Sequence, residues 1–510
     1  MNNTVTPSVL PSRVLIVGLG ETGVAAARWC ARIGATLRVA DTRQTPAALE
    51  ALKESVDAAS LELHLGCEMF ETTLLEGIDL LVLSPGLIPG LSPVKELLEQ
   101  ANAVSIEVIG EIELFARALQ QLQVSQQYAP RVLGVTGTNG KTTVTALTRH
   151  MLSAAGIKAR AAGNIGPAAL DSLMDAIDTD TLPDVWVLEL SSFQLETTRS
   201  LHMTAAVVLN VTQDHLDWHG NMKAYAQAKA RIYEMTDLLL VNRDDATVMS
   251  MCESLANMNV RSFGRDAPML TGDAGLEGGQ DVLWLTTSEA TDFEDDLPAP
   301  VKRKKNAPPP ERASGRLLRL MPMDALGLRG LHNALNTQAA LLLARSVGAG
   351  FGPILRAATE YTGEPNRMEF VRAVRGVDFF NDSKGTNVGA TVAGLEGLGR
   401  RSVLIAGGVG KGQDFSPLVS VVARHVRAVV LIGQDARLLL DTLASTGVPC
   451  ELADSLPQAV ELAFAQAQEG DAVVLSPACA SFDMFRNYPH RGQVFVEATL
   501  ELALGQGEVA

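Results

Sequence analysis

The sequence is poor in cysteine and has no excess of positive charge. Its five cysteines, Cys30, Cys67, Cys252, Cys450 and Cys479, include no C-x-x-C pair. That indicates neither a zinc knuckle nor a disulfide framework, so reduced thiols are expected. Lys and Arg number 42 against 58 Asp and Glu, a formal charge of −16. A chain of that balance is not built for non-specific nucleic-acid binding. An anionic ligand must be held by local devices: backbone N–H groups, helix N-termini, a few aimed cations or a metal. No run of about 18 uncharged apolar residues occurs, so no membrane-spanning helix is expected. Residues 1–12 are polar and lack the apolar core of a secretory signal, so the expected location is the cytoplasm.

What is present is ample apolar material: 47% of 510 residues are hydrophobic. That length predicts about three domains. Apolar runs of strand length recur at 13–17, 80–83, 131–135, 185–190, 205–209, 238–241, 402–405, 428–432 and 472–475. Most lead into Gly, Ser, Asn or Pro and then into helix-like sequence. The alternation predicts an α/β fold with largely parallel sheets and ligand sites at the carboxyl ends of strands. Two composition shifts read as boundaries. Residues 120–130 are Gln-rich and precede a new strand. Residues 292–316 are charged and Pro-rich and read as a flexible insertion, with the basic run 302–305 a solvated loop.

The segment 133–143 reads LGVTGTNGKTT. A strand enters a glycine turn, and Lys-Thr-Thr opens a helix over 144–155. Gly137 and Gly140 let the N–H groups of Thr138, Asn139 and their neighbours converge on phosphate oxygens. Lys141 supplies a cation to the β- and γ-phosphates of ATP, Thr142 a hydroxyl for Mg²⁺, and Thr143 continues the helix start, whose dipole end is positive. Val135 stands where the general P-loop has its first glycine, so the loop is a short variant. A second glycine loop, Gly18-Leu19-Gly20-Glu21-Thr22-Gly23, follows the first strand, and Asp41 lies near the distance expected of a ribose-binding acid. Alone, that loop suggests a dinucleotide enzyme. It reports only a diphosphate at a helix N-terminus, and UDP carries one as well.

The short ATP loop resembles that of the Mur ligases and of folylpolyglutamate synthases. Further segments, in order, are similar to the Mur ligases: GNIG at 163–166, ELSSFQLE at 189–196, NVTQDHLD at 210–217, AKARIYE at 228–234, HNALN at 332–336, NDSKGTN at 381–387 and SPACAS at 476–481. The strand end at 189–196 most resembles the branch that adds D-glutamate. The resemblance implies a Rossmann-like N-terminal domain over 1–111 that binds a UDP precursor. It implies a P-loop-type ATP-binding central domain over 112–363, with the insertion, and a Rossmann-like C-terminal amino-acid domain over 364–510. The implied reaction is the ATP-dependent joining of D-glutamate to UDP-N-acetylmuramoyl-L-alanine through an acyl phosphate, in cytoplasmic peptidoglycan precursor synthesis. A monomer without nucleic-acid or membrane partners is expected. A folylpolyglutamate synthase leaves Gly18–Gly23 unexplained, and an NAD-dependent oxidoreductase leaves Gly137–Thr143 unexplained.

The resemblance also assigns residues. Thr142, Glu189, His215 and Lys229 are implied at Mg²⁺ sites, with Lys141, Glu189, His215 and Lys229 catalytic. Read from its helix alone, Lys229 is a surface lysine; the family's matching lysine is carbamylated, which turns a cation into a carboxylate-like ligand. Asn333, Asn336, Arg367 and Asp382 are implied on the ATP side. Gly20, Glu21, Thr22, Asp41, Thr42, Arg43, Gly86 and Asn164 are implied to hold the UDP precursor. Glu21 is an awkward neighbour for a diphosphate. D-glutamate carries two carboxylates and needs two anion-holding clusters; Lys384, Thr386, Lys411, Ser481 and Tyr488 are implied there.

Overall fold

The computed structural model describes residues 12–253, 259–279, 282–290 and 312–508. They form three α/β domains, each built on its own mostly parallel sheet. The first sheet holds β1 (Arg13–Val17), β2 (Thr36–Asp41), β3 (Leu61–Leu65), β4 (Leu80–Leu83) and β5 (Glu107–Ile109), in the order β3-β2-β1-β4-β5, all parallel. The order reverses between β1 and β4, which opens a crevice above their carboxyl ends. Gly23 lets helix Glu21–Arg32 sit against the exit of β1: a Cβ there would lie 2.1 Å from the Gly18 carbonyl oxygen.

The second sheet holds β6 (Arg131–Thr136), β7 (Ala159–Gly163), β8 (Val185–Glu189), β9 (Ala205–Val208), β10 (Leu238–Asn242) and β11 (Asn259–Phe263). Its order is β11-β10-β9-β6-β8-β7, again parallel. Strand β6 lies between β8 and β9, so the phosphate loop leaves the middle of the sheet, flanked by Glu189 and by the loop after β9. Strand β8 is buried along its whole length, which is why it reads as an unbroken apolar run.

A small antiparallel sheet follows, β12 (Ala274–Gly278), β13 (Leu283–Glu289) and β14 (Arg316–Pro322). It goes beyond the strands expected from sequence: β14 is largely exposed and mixes arginines with leucines. The last sheet holds β15 (Glu369–Val374), β16 (Val377–Asn381), β17 (Ser402–Gly407), β18 (Val426–Ile432), β19 (Cys450–Leu452) and β20 (Ala472–Leu475), ordered β15-β16-β20-β17-β18-β19. Only β15 runs antiparallel in it. Strands β16, β20 and β17 are neighbours, so the loops bearing Lys384, Ser481 and Lys411 emerge side by side.

The structure bears on part of each composition shift. The Gln-rich stretch belongs, as far as Gln126, to helix Glu111–Gln126. Gln is a good helix former; Gln120, Gln121 and Gln123 face solvent while Leu119 and Leu122 are buried. The helix start is fastened to the central domain. Glu111 Oε1 accepts from the Leu170 amide at 2.6 Å, and Glu113 Oε2 accepts from the Arg199 and Ser200 amides at 2.7 and 2.9 Å. Phe115 meets the Trp186 ring edge-on at 5.3 Å. The expected insertion 292–316 lies outside the described residues through 311. Its described end is not loose: Arg312 pairs with the buried Asp273 at 2.6 Å, and Arg316 opens β14.

Candidate active site

The phosphate loop turns at Gly140, φ +85°, where an added Cβ would also meet Asn336 Oδ1 at 2.5 Å. Glycine therefore suits both the backbone and the space. Lys141 opens helix Lys141–Ala154, and its Nζ donates back to the Gly137 and Thr138 carbonyls, both at 2.8 Å. Burial lowers its pKa, opposed by the carboxylates of Glu189 and Asp214. The Thr142 hydroxyl accepts from Arg367, which reaches over from the C-terminal domain.

Glu189 is buried at the end of β8. Its Oε1 accepts from Asn164 Nδ2 at 2.7 Å, and the Asn164 amide donates to the Glu189 carbonyl at 2.9 Å. Its Oε2 is buried with no hydrogen-bond partner. His215 follows β9 in the left-handed region, φ +53°, with its ring edge on Phe193 at 4.9 Å. Burial lowers its pKa, opposed by Asp214 and helped by Lys411, Lys141 and Lys229, which favours the neutral ring that a metal ligand must be.

Lys229 is not the surface lysine its helix suggests. It is 1% exposed on helix Met222–Glu234. Its Nζ donates to the Gly137 carbonyl at 2.9 Å and lies 4.4 Å from the centre of the Tyr225 ring. Burial, with Lys141 beside it, holds its pKa well below that of an ordinary lysine. Tyr225 in turn meets Thr138 Oγ1 at 3.1 Å, so the helix is clamped to the phosphate loop twice.

The C-terminal domain supplies the opposite wall. Asn387 and Asn139 exchange side-chain hydrogen bonds at 3.1 and 3.4 Å, and Asn387 also donates to Asp214 Oδ2 at 3.1 Å. Burial pushes Asp382 up to about 7 and Lys384 down to about 8. Lys384 Nζ stands 4.1 Å over the Tyr488 ring. Together the two domains enclose a cavity of about 330 Å³. Of the residues expected from sequence, Thr138, Asn139, Gly140, Lys141, Thr143, Asn164, Glu189, His215, Lys229, Asn333, Asn336, Arg367, Asp382, Lys384 and Thr386 line it. Tyr488 lies behind Lys384. Lys411 is exposed at the exit of β17, and Ser481 is buried, its carbonyl capping the turn to Phe485.

Asp214, Tyr225, Phe193 and Asn387 also line the cavity and were not singled out from sequence. Asp214 and Asn387 stood inside quoted motifs, and an acid beside a loop histidine was a usable signal. Phe193 also stood inside a quoted motif, but it and Tyr225 gave no chemical signal of their own, since aromatic residues near apolar runs read as core.

Apart from Asn164, the residues expected on the UDP side form a separate group on the first sheet. Gly20 caps helix Glu21–Arg32; Glu21, Thr42, Arg43 and Gly86 are exposed. Asp41 is buried and fully engaged: it accepts from the Leu19 amide at 2.6 Å, the Arg43 amide at 2.8 Å and the Arg43 guanidinium at 2.7 Å. It therefore braces the glycine loop and aims Arg43, while Ser84 Oγ ties the β4 exit to the Gly18 carbonyl at 2.6 Å.

Among the described residues, no group of three or more His, Cys, Asp or Glu forms a ready metal cage. The partnerless Glu189 oxygen, the His215 ring and the Thr142 hydroxyl instead suit Mg²⁺, which keeps several waters and takes few protein ligands. No helix of the described residues is long and apolar enough to cross a membrane.

Three family descriptions match the chain: the Mur ligase MurD-like N-terminal domain at residues 12–110, the Mur ligase middle domain at 135–298, and the Mur ligase glutamate ligase domain at 366–479. The UDP-N-acetylmuramoylalanine–D-glutamate ligase of Bordetella bronchiseptica is 64% identical over 511 residues, covering 100% of both chains. The ligase of that name from Ralstonia nicotianae is 54% identical over 495 residues, covering 97% of this chain and 98% of its own. Among solved structures, the UDP-N-acetylmuramate-alanine ligase of Thermotoga maritima superposes with a TM-score of 0.57 at 17% identity, covering 96% of this chain and 100% of its own, a likeness of fold. With its three sheets in this order, and relatives alike over their whole length, the chain belongs to the Mur ligase family.

Proposed function

We propose that the protein joins D-glutamate to UDP-N-acetylmuramoyl-L-alanine at the expense of ATP. The observation that carries this reading is the shared cavity where the phosphate loop, Glu189 and Lys229 face Lys384 and Arg367 of another domain. The residues expected on each side have the chemistry their roles require. Lys141 stabilises charge on the phosphoryl group as the substrate carboxylate attacks the γ-phosphorus, giving an acyl phosphate and ADP. The amine of D-glutamate then attacks the acyl carbon, and phosphate leaves from the tetrahedral intermediate. Asn164, held by Glu189, orients the reacting carboxylate, and Lys384 and Thr386, with Lys411 and Ser481, hold those of D-glutamate. Gly20, Arg43 and Gly86 grip the UDP end. Closure of Asn387 on Asn139 keeps water from the acyl phosphate.

Thr142, Glu189 and His215 would hold Mg²⁺, which neutralises charge on the phosphates and polarises the transferred group. Burial lowers the Lys229 pKa, which favours the free amine that adds to CO₂, releasing one proton and leaving a carbamate; Lys141 would balance its charge. The proposed domains are 1–111, 112–363 and 364–510, working as a cytoplasmic monomer. The test is ADP release with the UDP-linked precursor and a panel of amino acids. D-glutamate alone should support it; release with L-alanine or a diamino acid in its place would overturn the assignment.

A further inference from the structure

Arg491 has no part in the reaction as described above. It stands in the first turn of helix Tyr488–Gly505 and is wholly buried. Its Nε donates to Ser383 Oγ at 3.0 Å, Nη2 to the Ser383 carbonyl at 2.8 Å, and Nη1 to the Cys479 carbonyl at 3.1 Å. All three partners are neutral. A buried cation without a bonded carboxylate is unfavourable, and the positive dipole end of the helix adds to that.

The acceptors belong to two loops that leave the adjacent parallel strands β16 and β20. One loop carries Lys384 and Thr386; the other leads to Ser481. Ser383 Oγ also donates to the Tyr488 carbonyl at 2.8 Å, and the Tyr488 ring faces Lys384. One rigid guanidinium thus sets the spacing of both loops and of the aromatic ring. Nearer the strands, which pair through their own backbones, Ser476 Oγ donates to Asp382 Oδ2 at 2.7 Å, a tie that does not involve Arg491.

We propose that Arg491 is a positioning residue for the incoming amino acid, acting through Ser383 and Cys479 to fix Lys384 against a substrate carboxylate. Being out of solvent, it touches no substrate. The inference rests on the D-glutamate reading.

The test compares full-length R491M, similar in length without donors, and R491K, which keeps the charge without the planar fork. R491M should raise KM for D-glutamate by roughly tenfold or more, with KM for ATP within about twofold, because a small displacement of a binding group is enough to cost that much. R491K should recover only part of the loss. Amide hydrogen exchange in R491M should quicken at 383–386 and 478–481 while β16 and β20 stay protected. Parallel rises in both KM values, faster exchange throughout the domain, or unchanged loops would each overturn the proposal. If R491M does not fold, the same split and exchange pattern in R491K decide it. Wild-type enzyme that releases no ADP with D-glutamate would remove the functional reading, while exchange still decides whether Arg491 ties the loops.

Discussion

Lys229 and Gly137 are 92 positions apart, yet the lysine Nζ donates to the glycine carbonyl at 2.9 Å. The contact places a buried amine, its pKa held well below that of an ordinary lysine, against the phosphate loop. It also gives the lysine a use that a surface position would not, and that use can be tested.

Lys229→Ala should be nearly inactive if a carbamate forms there, and acetate or formate should partly restore ADP release. A small carboxylate fills the vacated space and presents the same two oxygens. Methylamine should not rescue. Rescue by the amine alone would mean that an ammonium, not a carbamate, is what the site needs.

Lys141→Ala should lower ADP formation roughly 100-fold or more, since a charge-stabilising donor is lost. Binding of the UDP-linked precursor should stay within about twofold, because distant sites behave independently. Calorimetric titration of the precursor measures this; equal loss of both activities would contradict two separate sites.

Lys384→Ala should weaken D-glutamate by about 3 kcal/mol, over 100-fold in KM, and ATP far less. Lys411 is exposed, so Lys411→Ala should cost less, about 1 kcal/mol. Steady-state kinetics with each substrate varied in turn decides it, and an unchanged D-glutamate constant in both variants would dismiss the carboxylate clamp.

Glu111 predicts a pH dependence. Burial pushes its carboxyl up from 4.5 to about 7. Below the lower value both folded and unfolded chains hold the proton. As pH rises to about 7, the unfolded chain releases it and the folded protein keeps it, so this contribution to stability is lost. Glu111→Gln stays neutral. Its unfolding free energy should exceed that of the wild type near pH 8 by up to about 3 kcal/mol, and the gap should narrow as pH falls toward 5. A gap independent of pH would show that Glu111 is not the titrating group.

The strands at the sheet centres were legible because burial on both faces leaves an unbroken apolar run, as in β8 and β20. Strand β3 was not, since it is half-exposed and mixes His64 and Glu62 with leucines. The phosphate loop was legible because its glycines and Lys141 are adjacent in sequence. Lys229 carries no local sign of burial; only the motif around it pointed to function. The Asn139–Asn387 pair spans 248 positions and Arg491 bonds to Ser383 across 108. No spacing rule reaches that far, because the first contact is set by how two domains meet and the second by how the last helix packs on its own domain's sheet.

Helix Glu111–Gln126 has a consequence for the order in which the protein is made. Glu113 is synthesised 87 residues before Ser200, whose amide it binds. At roughly 5–20 residues per second, that interval lasts about 4–17 s on the ribosome. The first sheet is complete by then, and its helix Glu21–Arg32 is there to receive one side of the newcomer. The other side, with Phe115 and two carboxylates, must wait in water for Trp186 and the Arg199–Ser200 turn to emerge. During that interval, the nascent chain shows an apolar, acid-tipped stripe that the finished protein hides.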